Sequence, residues 1–301
     1  MIGEIAALLA ALCWALSAVM YKNVLVKTSY LAANLVRSAF AVLFLILILP
    51  LVINQSSILS QEEYIVLAIG GITNLVVGDT MYFIGLKKVG VCQAQPITSS
   101  YPLAVMFLAA LVLGEPLTSS ILIGTPLIVV GVILISLGGN REGCDDSNSS
   151  QRAQGLAASV TAALFWSVGL TCYKFALLDH SAFDPSLSIF VTVFRTTVIL
   201  PFLITLVVVS KESKQVSMLS KKSVAILGAA GIIALGVGGI LLFTSYSLIN
   251  ANIATPLSSI SPLFSLVLAR RYAGETTTVR VVLGAILIVT GVMLVSIFAP
   301  Q

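Results

Sequence analysis

Asp79 stands in an almost wholly apolar stretch, with Asn74 five residues before it and Tyr82 three residues after. On a helix Asn74, Gly78 and Tyr82 share one face. A carboxyl, a carboxamide and a phenol are groups that hold a small polar solute. The carboxyl can bind an amine or carry a proton, and the other two supply hydrogen bonds. Three roles compete for Asp79: binding an amine, exchanging a proton, or pairing with a buried cation such as Arg37. Further polar and aromatic groups interrupt other apolar stretches: Trp14, Gln95, Tyr101, Trp166, Tyr246 and Asn250. All are candidates to line a binding cavity. Arg37 and Arg195 are the only basic residues well inside apolar stretches. Snorkelling or a scaffold ion pair is the favoured reading for both, with carboxylate binding as the alternative.

The usual enzyme signatures are missing. His180 is the single histidine, and Cys13, Cys92, Cys144 and Cys172 have neither metal-site nor redox spacing. There is no phosphate loop and no basic patch beyond what topology requires. The chain is therefore read as a non-enzyme, with no metal, no cofactor and no nucleic-acid partner.

The elements that position these residues follow from composition. Of 301 residues, 58% are hydrophobic and only 9% charged, with a mean hydropathy of +1.08. A soluble domain carries about 25% charged residues. So few charges cannot cover a water-facing surface, and the exterior must face lipid. Ten apolar stretches are marked, at 3–21, 30–53, 64–86, 92–113, 119–138, 155–176, 187–209, 223–248, 252–272 and 278–298. Each has roughly the 20 residues that a helix needs to cross a bilayer. The first lacks a basic flank and a small-residue cleavage site, so it is read as a span, not a signal peptide. Asp79 lies eight residues before Lys87, about 12 Å along a helix, near mid-membrane. An acid there costs about 2.5–3.5 kcal/mol on insertion scales, so it must face protein or water.

The chain repeats itself. Residues 96–115, "PITSSYPLAVMFLAALVLGE", align without a gap on 256–275, "PLSSISPLFSLVLARRYAGE". At this offset of 160, Pro96, Ser99, Pro102, Gly114 and Glu115 match Pro256, Ser259, Pro262, Gly274 and Glu275. Gly71, Gly78, Gly124 and Gly131 match Gly231, Gly238, Gly284 and Gly291 at the same offset. Gly3, Trp14, Tyr21 and Lys22 match Gly155, Trp166, Tyr173 and Lys174 at an offset of 152, and Arg37 matches Arg195 at 158. The chain divides into a first five-helix half, 1–138, a polar linker, 139–154, and a second half, 155–301.

Five is odd, so the second half enters the membrane from the opposite face. The fold expected is all-α integral membrane, ten transmembrane helices as two inverted five-helix repeats. Thirteen of the sixteen Lys and Arg fall in connections 1–2, 3–4, 5–6, 7–8 and 9–10. By the positive-inside rule those connections are cytoplasmic and both termini lie outside. The prolines of the duplicated segment remove backbone donors and loosen two helices. They are either packed kinks or a matched pair of broken helices beside a solute. Gly114-Glu115 is read as a helix end followed by the start of the next helix. The halves differ where Asn74, Asp79 and Tyr82 face Ala234, Gly239 and Leu242. A polar cluster in one half alone needs a reason beyond the shared scaffold.

Two five-helix repeats, each with an arginine early in its second helix and a "Pro…Gly-Glu" fourth helix, resemble the EamA-type carriers of the drug/metabolite transporter superfamily. Arg37 with Arg195, Pro102 with Pro262, and Gly114-Glu115 with Gly274-Glu275 carry the resemblance, which spans residues 3–298. It implies a multi-pass cell-membrane protein. It also implies a secondary carrier that exports or exchanges small metabolites, among them amino acids, by alternating access through a central cavity. Helices 1, 3, 4, 6, 8 and 9 would line that cavity. The resemblance implies cytoplasmic termini, against the basic-loop count. A passive channel or a non-transporting scaffold is the alternative. Expected partners are a small-molecule substrate and the lipid bilayer, with proton coupling through Asp79 left open. Sequence gives no oligomeric state.

Overall fold

The computed structural model describes residues 1–25, 28–52, 59–138, 149–180, 184–273 and 279–297. Every secondary-structure element among them is helical. That is the expected outcome for apolar stretches that must satisfy their own backbone groups in lipid. The helices are α1 (Ile2–Leu25), α2 (Tyr30–Val52), α3 (Gln61–Gly71), α4 (Asp79–Thr98), α5 (Tyr101–Val112), α6 (Ser119–Gly138), α7 (Ser149–Phe175) and α8 (Pro185–Val209). The short α9 (Ser213–Ser217) follows, then α10 (Lys221–Gly231), α11 (Gly238–Leu248), α12 (Ala251–Ser258), α13 (Ser261–Ala273) and α14 (Val279–Ile297). Two π-helical segments, Ile72–Gly78 and Ile232–Val237, join α3 to α4 and α10 to α11. They begin at equivalent positions of the sequence repeat, 160 residues apart.

Among the described residues, eight helical stretches are long and apolar enough to cross a membrane. The expected spans 92–113 and 252–272 are not continuous helices. The first breaks at Ser99-Ser100, between α4 and α5, and the second at Ser259-Ile260, between α12 and α13. The prolines around each break remove backbone donors and destabilise a straight helix there. The connection expected at 87–91 is also helical, since α4 continues to Thr98. No proline occurs between Asp79 and Gln95, and a glycine alone weakens a helix by only about 1 kcal/mol. In the second half the chain does turn. Asn250 adopts an extended conformation (φ −64, ψ 149) as the N-cap of α12.

Glu115 has an unexpected destination. Gly114 does end a helix, with φ +68, the left-handed conformation that closes helices. The Glu115 carboxylate, however, caps α12 instead of the next helix. Its Oε1 accepts from the Ala251 N–H at 2.7 Å, and its Oε2 from the Asn252 N–H at 2.9 Å. The Asn252 side chain donates to the Pro116 carbonyl at 2.9 Å. Two amides left open at a helix start, and its positive dipole end, meet one carboxylate. Glu275 lies outside the described residues.

The chain forms two compact units, Met1–Ile72 with Cys172–Leu248, and Thr73–Thr171 with Ile249–Gln301. In the first, α2 packs on α8 and α10, α1 packs on α10 and α11, and α3 packs on α8. Leu45, Ile189 and Val193 form one core cluster there, and Val24, Ala33, Val36 and Leu227 another.

In the second unit α6 packs along α14. Their glycines meet reciprocally. A Cβ added at Gly131 would lie 2.6 Å from the Gly284 carbonyl oxygen, and one added at Gly284 would lie 2.6 Å from that of Gly131. Gly291 likewise meets Gly124 at 2.6 Å, and Gly124 meets Gly291 at 2.9 Å. Position 124 is equivalent to 284, and 131 to 291, so equivalent residues exchange partners across the contact. Rising numbers on α6 meet falling numbers on α14, hence the two helices run antiparallel. Such close backbone approach is open only to residues without side chains.

Candidate functional site

Asp79 begins α4, directly after the first π-helical segment. Its side chain is buried, at 8% exposure. The Trp166 indole N–H, from α7, donates to its Oδ1 at 3.0 Å. Asn74 lies one turn earlier, in the π segment, and its side-chain amide donates to the Trp166 carbonyl at 3.4 Å. The Tyr82 ring centre is 5.1 Å from that of Trp166, and the Tyr101 ring centre is 5.9 Å from it, edge-on at 84°. Gly78 admits the indole, because a Cβ there would collide with it. Five candidates, Asn74, Asp79, Tyr82, Tyr101 and Trp166, thus form one cluster of a carboxylate and three aromatic rings.

The broken helices border this cluster. Tyr101 is the first residue after one break, and its hydroxyl lies near that of Ser258, the last residue before the other. The Ser167 hydroxyl, next to Trp166, lies 3.0 Å from the Tyr101 carbonyl oxygen and bonds that of Ala163 at 2.7 Å. Ser258 and Ser167 were not candidates from sequence.

The other half carries the same frame without the acid. Trp14 occupies the position equivalent to Trp166, and its indole N–H donates to the Ala234 carbonyl at 3.2 Å. That carbonyl is available because of the π segment. The Gly238 N–H, which would bond Ala234 in an α-helix, bonds Ile233 five residues back. Gly238 faces Trp14 as Gly78 faces Trp166. A carboxylate therefore replaces a carbonyl as the indole acceptor in one half. This difference is the cluster's chemical distinction.

The remaining candidates lie elsewhere. Trp14 and Tyr246 belong to the first unit. Tyr246 is fully buried, and its carbonyl accepts from the Lys174 ammonium at 2.6 Å. Lys174 is itself buried, at 7% exposure. Asn250 caps α12. Gln95 lies in α4, but its side chain is outside the described residues. Arg37 donates from Nε to Asn34 Oδ1 at 2.8 Å, one turn away on α2. Its backbone is met by Gly231, and the Arg195 backbone and side chain are met by Gly71. These are equivalent pairs under the repeat.

Among the described residues no group of three or more His, Cys, Asp or Glu could hold a metal ion. His180 contacts Glu63 at 3.0 Å, at the partly exposed start of α3.

The chain is 26% identical over 297 residues to an uncharacterized transporter of Archaeoglobus fulgidus, covering 98% of each chain. A solved crystal structure superposes with a TM-score of 0.78 at 17% identity, over 99% of this chain and 97% of that one. That likeness establishes a shared fold. The family model of the EamA-like transporter family matches residues 1–137 and 153–297. With these matches and its apolar helices, the chain is a multi-pass membrane transporter and belongs to the EamA-like transporter family.

Proposed function

We propose that this chain is a secondary transporter that exports or exchanges small polar or amphipathic metabolites, amino acids among them, by alternating access. The Asp79 cluster is its substrate site. The observation carrying this reading is the buried carboxylate framed by Trp166, Tyr82 and Tyr101 beside two broken helices. A carboxylate among aromatic faces suits a solute with an ammonium group, which bonds the acid and rests against the rings. Broken helices leave carbonyls for polar ligands. Ten spans in two inverted five-helix halves account for the antiparallel exchange of glycines between α6 and α14. They account equally for the π segments at equivalent positions. The cell membrane is the site of action, and Asp79 is the group available for proton exchange during the cycle.

A passive channel is the second reading. It would be served by polar groups at matching places in both halves, whereas the carboxylate belongs to one half alone. Counterflow separates the two. Proteoliposomes are preloaded with unlabelled amino acids singly, and entry of the same labelled solute is followed. A carrier gives transient accumulation above equilibrium in loaded vesicles only. Equilibration at one rate in loaded and empty vesicles would favour the channel.

A further inference from the structure

The start of α12 is held from a distance although a local cap is at hand. Asn250, its N-cap, is of a type that ordinarily caps its own helix, yet its side chain makes no capping bond. Glu115, 136 residues away from Ala251, takes that place. Its carboxylate holds the Ala251 and Asn252 amides, and the adjoining Pro116 carbonyl accepts from the Asn252 side chain at 2.9 Å. Asn250 could stabilise α12 as a helix. A tie to residues 115–116 also fixes where that helix stands.

α12 leads to the aromatic cluster. It has eight residues, all buried, and spans about 12 Å at 1.5 Å per residue. It packs on α5 and α6. Its last residue, Ser258, ends beside the Tyr101 hydroxyl. The Ser258 hydroxyl donates to the Thr255 carbonyl at 3.0 Å, and its oxygen can still accept. Tyr101 stands edge-on to Trp166, with ring centres 5.9 Å apart, and Trp166 donates to Asp79. All of these residues, from Glu115 to Asp79, belong to the second compact unit. A shift at the start of α12 therefore reaches Tyr101 through one short, buried helix.

We infer that Glu115 is a positioning residue for the substrate site: by holding α12 it seats Ser258 against Tyr101, and so sets the rings around Asp79. The inference rests on the reading of the Asp79 cluster as the substrate site, and it adds a residue that touches no substrate.

The test uses the purified full chain carrying Trp14→Phe, which leaves Trp166 as its one indole. Glu115→Gln keeps the side chain's size and one acceptor oxygen. Ser258→Ala keeps the cap and removes the contact at the far end. Gly131→Ala strains the α6–α14 contact instead, and is the control for lost stability. Trp166 emission is recorded without solute and then during titration with phenylethylamine, whose ammonium and ring match the carboxylate and aromatic faces. Glu115→Gln and Ser258→Ala should each change the solute-free emission and weaken phenylethylamine binding at least about fivefold. Together they should weaken it no more than the stronger of the two, because both act through α12. Gly131→Ala should lower the melting temperature and leave emission and affinity as they were. If Glu115→Gln does not fold, Asn252→Ala, which cuts the tie to Pro116, replaces it. Unaltered emission and affinity in the tie variant would overturn the inference, whatever its melting temperature. So would losses that add in the double variant, or equal losses in Gly131→Ala. Emission changes as expected, with no phenylethylamine binding by the parent chain, would support the positioning and remove the amine reading of the cluster. Phenylethylamine binding that Asp79→Asn abolishes and the tie variant leaves untouched would do the reverse.

Discussion

Replacing Glu115 by alanine removes both acceptors at the start of α12. The Ala251 and Asn252 amides are buried, at 0% exposure, and bond the carboxylate at 2.7 and 2.9 Å. Each buried amide left without an acceptor costs about 1–3 kcal/mol. Loss of the charge from the helix N-terminus adds about 0.3–1 kcal/mol. Before relaxation the sum is about 2–7 kcal/mol, and it falls on one short helix and its proline-containing turn. Glu115→Gln keeps one acceptor oxygen, so it should cost about half as much. The assay is hydrogen exchange by mass spectrometry on a peptide covering 249–258, with thermal unfolding in the same detergent. At 1.4 kcal/mol per tenfold, alanine should speed exchange at these two amides by at least about thirtyfold, with glutamine in between. Unchanged exchange at Ala251 and Asn252 in Glu115→Ala would refute the capping argument.

Three further outcomes follow from the same geometry. Trp166→Phe keeps an aromatic ring but removes the hydrogen bond to Asp79. At about 1.5–3 kcal/mol for a bond to a charged group, substrate affinity should fall roughly 10- to 150-fold, measured as the counterflow half-saturation concentration. Gly131→Leu and Gly284→Leu each drive a side chain into a backbone 2.6 Å away. Either should cost at least about 1–3 kcal/mol, read as a lower melting temperature. Gly231→Val should be as damaging as either, since it strikes the Arg37 backbone.

Much of the frame was legible because duplication leaves the same residue types at fixed offsets. The glycines of α6 and α14, both tryptophans and both arginines could be paired before any coordinates. Asn74 and Tyr82 could be placed on one face by helical spacing, and Asp79 stood out as an acid in an apolar stretch. Less could be read where an effect depends on backbone hydrogen-bond register. The π segments carry ordinary residues, ITNLVVG and IIALGV, and nothing in those side chains announces a bond to the fifth residue back. Long-range partners were equally hidden. Glu115 reaches an amide 136 residues away, whereas local capping rules point it at the next helix. The breaks at Ser99-Ser100 and Ser259-Ile260 were open from the prolines as kinks or interruptions, and contact between Tyr101 and Ser258 is what brings them beside the cluster.

The chain has only two tryptophans, and this permits a direct test of the Asp79 cluster. Trp14→Phe leaves Trp166, hydrogen-bonded to Asp79, as the single indole. A solute that exchanges in counterflow should change Trp166 emission saturably, over the concentration range that half-saturates transport. Adding Asp79→Asn should abolish both the emission change and the counterflow. A transported solute that leaves Trp166 emission unaltered, with transport surviving Asp79→Asn, would contradict the assignment of this cluster as the substrate site.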